Sequence, residues 1–200
     1  MTCERVPAAL IGGNALLERA IGYTLGSLQL VTPQAMSQPT PCRGWDLRAL
    51  LRHMNDSFLA LTEAIDLGRV DVDLRAGGGN QAVGLVASLR DQACQLLGGL
   101  AATRCGQPIA VAGYELTRSI VTSTGAIEVA VHGWDVARAC GRDRPIPPSL
   151  AEELLELSPL FVSDADRPNR FAAPADVPPL AGPGDRLLAF LGRHPGAPAA

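Results

Sequence analysis

Three histidines occur in the 200 residues, and two of them, His53 and His132, flank strongly apolar helical patterns. Glu128 lies four residues before His132, in the stretch "AIEVAVHGWDVARAC", so carboxylate and imidazole project from adjacent turns of one helix face. Two imidazoles and one carboxylate are a common ligand set for zinc or iron with positions left open for water or substrate. The spacing alone leaves a second reading open, a surface Glu–His pair contributing a few tenths of a kcal/mol. Asp135 follows one turn after His132. It can orient that imidazole from behind, as carboxylates do beside metal-bound histidines, or pair with Arg138 on the surface. Trp45 and Trp134 are read as packing near the site, with stacking on a substrate as the alternative.

Cys42 is weighed separately, because a thiol at a helix start can be a low-pKa nucleophile. His53 lies about 10 Å farther along the helix axis, too far for direct pairing within that segment, so Cys42 is assigned to packing. His194, in the terminal "GRHPG", is read as solvated, and Arg142 and Arg144 as a solvated loop, with contact to an anionic substrate or thiol conjugate as the alternative.

The elements that must hold these groups are helices. Residues 8 to 31 form a first apolar-periodic segment. A Pro-rich connector follows from 32 to 45, and Asp46 then offers an N-cap. Leu47, Leu50, Leu51, Met54, Phe58, Leu61 and Ile65 recur at the helical period. "RAGGGN" ends at Asn80, a second N-cap for a helix from about 81 to 101; it matches neither GxGxxG nor the P-loop pattern and reads as a plain loop. "QPIAVAGYE", 107 to 115, holds one short strand or an extended connector. A fourth helix spans about 116 to 140. Projected at 100° per residue, Ile120, Ile127, Val131 and Trp134 make an apolar stripe with Glu128 and His132 on its edge. A fifth helix runs from about 149 to 162. "GDRLLAFLGRHPG" reads as a short helix docking on the body. Long helices with almost no strands predict an all-α fold, a helical bundle. Residues 1–165 would form it, and 166–200 a Pro/Gly-rich C-terminal extension docked on it.

Composition sets the outer limits. Net charge is −3, which gives no electrostatic case for nucleic acid or an anionic membrane. All 17 basic residues are Arg, which excludes a Schiff-base lysine. The five cysteines, Cys3, Cys42, Cys94, Cys105 and Cys140, form no CxxC pair, and neither a signal peptide nor a membrane-length apolar run is visible. Free thiols in the cytoplasm are the expectation, in a monomer or homodimer acting on a small molecule.

Three motifs carry a family resemblance. "PTPCRGWDLRALLRHM" resembles the second-helix start of mycothiol-dependent maleylpyruvate isomerase N-terminal domains, part of the wider DinB-like metal-binding superfamily. "EVAVHGWDVARACG" is similar to their E-x-x-x-H-G-W-D signature, and "GDRLLAFLGRHPG" to the D-R-L-L-x-x-x-G-R-D-P ending of many members. The resemblance implies a DinB-like four-helix bundle with a metal held by His53, Glu128 and His132, the residues the helical projection had also selected. It further implies a divalent ion, zinc first, with nickel or iron also suited to the ligands. The longer isomerase carries an additional C-terminal domain for which these 200 residues leave no room, so the resemblance points to a class of chemistry rather than to the maleylpyruvate reaction. In that class, a small thiol such as mycothiol adds to an electrophile, giving isomerisation or S-transfer. Two other functions stay open: a thiol-independent metal-dependent isomerase or cyclase, and a non-catalytic metal- or ligand-binding bundle.

Overall fold

A computed structural model describes residues 12–70, 82–102, 108–167 and 171–196. Among these the chain is mostly helical. The helices are α1 (Gly13–Leu28), α2 (Leu47–Leu67), α3 (Ala82–Ala101), α4 (Arg118–Ala139), α5 (Pro148–Phe161) and α6 (Pro183–Phe190). Asn80 and the "RAGGGN" loop lie outside the described residues, as do Cys3 and Cys105.

Local chemistry starts and stops several of these helices, while the first apolar segment, read over 8–31, is helical over Gly13–Leu28. The Asp46 carboxylate accepts the Ala49 N–H at 2.8 Å and caps α2. Gly68, at φ +67°, ends it in the left-handed conformation that glycine adopts without penalty. Thr117 caps α4, and Pro148 opens α5, where a missing N–H costs nothing.

The strand content exceeds the expectation of a single strand or connector. β1 (Arg69–Val70) pairs in parallel with β2 (Ile109–Val111), with Arg69 opposite Ala110. β2 turns back antiparallel on β3 (Tyr114–Leu116), with Ile109 opposite Leu116. The two-residue turn between β2 and β3 is Ala112–Gly113, at φ +49° and +83°. Both signs match the tight turns that suit strand twist, but Ala at the first position is unusual there, which is why the sequence did not announce a hairpin.

α4 is the central element. It packs along α1 and also meets α2 and α5, while α2 packs against α3. From Val121 to Ala139 every residue of α4 is buried except Thr124 and Glu128. This corrects the picture of an apolar stripe with the site on its edge: the helix is enclosed on nearly all sides. Small residues make that possible. A Cβ added at Gly133 would run into the Thr24 side chain and come within 3.2 Å of Thr24 Cα, so α1 and α4 meet there backbone to backbone. Thr24 Oγ1 donates to the Val129 carbonyl at 2.7 Å across the same contact.

The C-terminal part folds onto this body. α6 packs against α5 and buries Leu187, Leu188 and Ala189. Gly192, at φ +78°, then terminates α6: its N–H meets the Ala189 carbonyl at 3.0 Å, and the Arg193 N–H meets the Leu188 carbonyl at 2.8 Å.

Candidate metal centre

His53 stands in the second turn of α2, on the side facing α4. Glu128 and His132 come from adjacent turns of α4. Glu128 Oε1 lies 2.6 Å from His53 Nε2 and 3.2 Å from His132 Nε2. The rings of His53 and His132 meet edge to face with centroids 5.0 Å apart. One ligand atom from each of the three lies within 4.8 Å of the others. Ser57, one turn beyond His53, donates to Glu128 Oε1 at 3.3 Å. The cluster opens to solvent on one side only: the side chains of His53 and Glu128 are 37% and 36% exposed, that of His132 only 9%.

Behind His132 the surroundings are closed. Its Nδ1 lies 2.9 Å from Asp135 Oδ2, and Asp135 is fully buried. A carboxylate facing Nδ1 accepts from a ring N–H, which leaves Nε2 directed at Glu128 and His53. Asp135 Oδ2 also accepts from Arg193 Nη2 at 3.0 Å and from the Cys42 thiol at 3.2 Å. Arg193 Nη2 lies 3.5 Å from Cys42 Sγ, and Arg193 Nε 3.5 Å from Asp135 Oδ1.

The electrostatics follow from this arrangement. Burial disfavours charge on Glu128, but the His132 and His53 imidazoles beside it hold its carboxyl well below the usual range. Burial likewise works against an imidazolium at His132, yet the Glu128 carboxylate and the bond to Asp135 hold its pKa well above the ordinary value. Asp135 resists burial through Arg193 and His132, which bring its pKa down to about 2. Two carboxylates around one imidazole favour positive charge there, and Arg193 supplies part of it on the Asp135 side.

The residues singled out in the sequence fall into three groups. His53, Glu128 and His132 converge. Asp135 lies behind His132 as the orienting alternative required; its partner is Arg193 rather than Arg138, whose guanidinium sits over the Trp134 ring at 5.5 Å. Trp45 reaches the site, its ring 4.9 Å from that of His53. Trp134 is buried in the core at 3% exposure. His194 is exposed. Arg142 is exposed too, but Arg144 is not simply solvated, because it lies over the Tyr23 ring at 5.1 Å. Cys42 needs correction. It packs against the core, but its thiol also faces His132 and Asp135, polar partners supplied by another helix. Measuring only to His53 along one segment could not reveal them. Cys42, Cys94 and Cys140 are free. Arg193 was missed outright. It is the arginine of the "GR" before His194 in "GDRLLAFLGRHPG".

The sequence profile of the mycothiol maleylpyruvate isomerase N-terminal domain matches residues 17–137, more than half of the chain. This chain belongs to that family. The match to the mycothiol maleylpyruvate isomerase N-terminal domain takes in Cys42, His53, Glu128, His132 and Asp135 and stops before Arg193. Two uncharacterized proteins of Mycobacterium tuberculosis, from strains CDC 1551 and H37Rv, are each 28% identical over 183 residues, covering 88% of this chain and 94% of theirs. No solved structure matches the chain significantly. No helix among the described residues is long and apolar enough to cross a membrane.

Proposed function

We propose that His53, Glu128 and His132 hold one divalent metal, and that the protein is an enzyme using a small mycothiol-like thiol to isomerise, or transfer sulfur to, a small electrophile. The observation that carries this reading is the convergence of two imidazoles and a carboxylate from α2 and α4, with ligand atoms within 4.8 Å and one open side. Zinc suits the donors best, and nickel or iron also fits. A metal held there supplies a Lewis-acid centre at which a coordinating thiol is deprotonated.

The chain's own residues do the rest. Asp135 fixes the tautomer and orientation of His132 from its Nδ1 side. Ser57 restrains Glu128 Oε1. The Trp45 ring lies tilted against the His53 ring, 4.9 Å away between centroids. Small molecules enter past Glu128 and His53, since α4 is buried at the neighbouring positions. The Cys42 thiol is turned toward Asp135, so the proposed nucleophile belongs to the cosubstrate. The packing of α1 on α4 and of α2 on α3 and α4 supports a DinB-like four-helix bundle. We also read residues 166–200 as an extension docked on a 1–165 bundle, in a cytoplasmic protein.

The test is an assay of zinc-loaded protein against small electrophiles at rising thiol concentration. Turnover should saturate with thiol and disappear with a chelator or with His53, Glu128 and His132 all replaced by Ala. Full turnover without thiol, metal still being required, would transfer the assignment to a thiol-independent isomerase or cyclase. Equal metal content in wild type and the triple variant would overturn the metal site itself.

A further inference from the structure

His132 belongs to two ligand sets, not one. Its Nε2 side faces Glu128 and His53. Its Nδ1 side faces Asp135 and Cys42, and the ligand atoms of Cys42, His132 and Asp135 also lie within 4.8 Å of one another. A thiol, an imidazole and a carboxylate are stronger competitors for zinc than a set lacking sulfur, because thiolate is the softer donor. On donor chemistry alone the second set would capture the ion and draw His132 away from the open cleft.

A cation already stands there. The Arg193 guanidinium contacts Asp135 Oδ2 at 3.0 Å and Cys42 Sγ at 3.5 Å through the same nitrogen. Its other terminal nitrogen is anchored on the Leu191 carbonyl at 3.0 Å. The left-handed Gly192 directs it there, clamped between Ala172 and the end of α6. Guanidinium is permanently charged and has five donors and no acceptor, so it pairs with the carboxylate and cannot serve as a ligand. A divalent ion beside it would meet like charge at short range in a buried place.

We propose that Arg193 is a positioning residue that occupies the Cys42–His132–Asp135 set in place of a metal and so reserves His132 Nε2 for the set formed with His53 and Glu128. This rests on the metal reading above. Without Arg193 the protein still binds metal, but on the wrong side of His132 and through sulfur.

Cobalt(II) titrated into the full-length metal-free protein distinguishes the two sets, because a thiolate ligand adds a near-ultraviolet sulfur-to-cobalt charge-transfer band. Wild type should bind cobalt without that band. Arg193→Gln should gain it, Arg193→Gln with Cys42→Ser should lose it again, and Arg193→Lys, which keeps a charge, should stay without it. His53→Ala with Glu128→Ala, where Arg193 is intact, should bind no cobalt. The proposal is overturned by a sulfur band in wild type or in that double variant. A correctly folded, cobalt-loaded Arg193→Gln protein lacking the band overturns it as well. Should Arg193→Gln fail to fold, the double variant decides. Wild type that takes up no cobalt would fail the metal reading and this inference together, a different result from cobalt bound on the wrong ligands.

Discussion

Oδ2 of Asp135 accepts from an imidazole, a guanidinium and a thiol at once, and no solvent reaches it. Removing the charge leaves Arg193 buried without its partner, and broken buried pairs cost about 3–5 kcal/mol. Asp135→Asn should therefore lower unfolding free energy by about that amount, measured by urea denaturation, and weaken zinc binding by about 10–100-fold. The sign with pH follows from the depressed pKa. A carboxyl at about 2 in the folded protein and about 3.9 unfolded stabilises fully above about pH 4 and loses that contribution as pH falls toward 2. Acid unfolding curves of Asp135→Asn should be flatter across that window. In the proposed metal set, His132→Ala should abolish stoichiometric zinc by elemental analysis, while exposed His194→Ala should leave it unchanged. His53→Ala should eliminate thiol-dependent turnover, whereas Cys42→Ser should retain most of it, because a hydroxyl can still donate to Asp135. Glu128 and His132 were legible in the sequence because i, i+4 spacing is local, and His53, 75 positions from Glu128, through its helical phase and the family resemblance. Arg193 was not, since no periodicity links positions 58 apart.

Helix ends show the same division. Asp46 was readable as a cap because the side chain and the N–H it serves lie three residues apart. The β2–β3 hairpin was not, because Ala112 gave no turn signal. The cap that matters most to the site is Gly192. A Cβ there would come within 2.8 Å of the Ala172 carbonyl oxygen, in a backbone region that L-residues adopt at a penalty of about 1–2 kcal/mol. Gly192→Ala should lower stability by at least that much in thermal melts and displace Arg193. Gly196→Ala, with nothing near the added methyl, should be silent. The enclosure of α4 was hidden for another reason. Gly125, Gly133 and the alanines carry weak hydropathy, so the sequence showed a stripe where close approach of α1 at Gly133 and of Leu61 in α2 at Gly125 in fact buries nearly the whole helix.

For the molecule as a whole, a ligand that binds only the folded chain stabilises it by mass action, by about 2.7 kcal/mol at one hundred times its dissociation constant. In a chain of 200 residues that is a Tm rise of about 5–10 °C. Zinc should produce it in wild type, a chelator should reverse it, and His132→Ala should show neither effect by scanning calorimetry. Helical class and the order of the long helices were visible from the start, because each is a run of periodic residues; the docking of α6 was visible as a short leucine-rich helix, but not what its end would touch. That contact has a consequence in time. Synthesis runs at about 5–20 residues per second, so the 58 positions from Asp135 to Arg193 take about 3–12 seconds to traverse. Throughout that interval Cys42, His132 and Asp135 already exist on the nascent chain without their guanidinium. If the proposed role of Arg193 holds, this set would be open to a metal ion during that interval and would close to it only when Arg193 arrives.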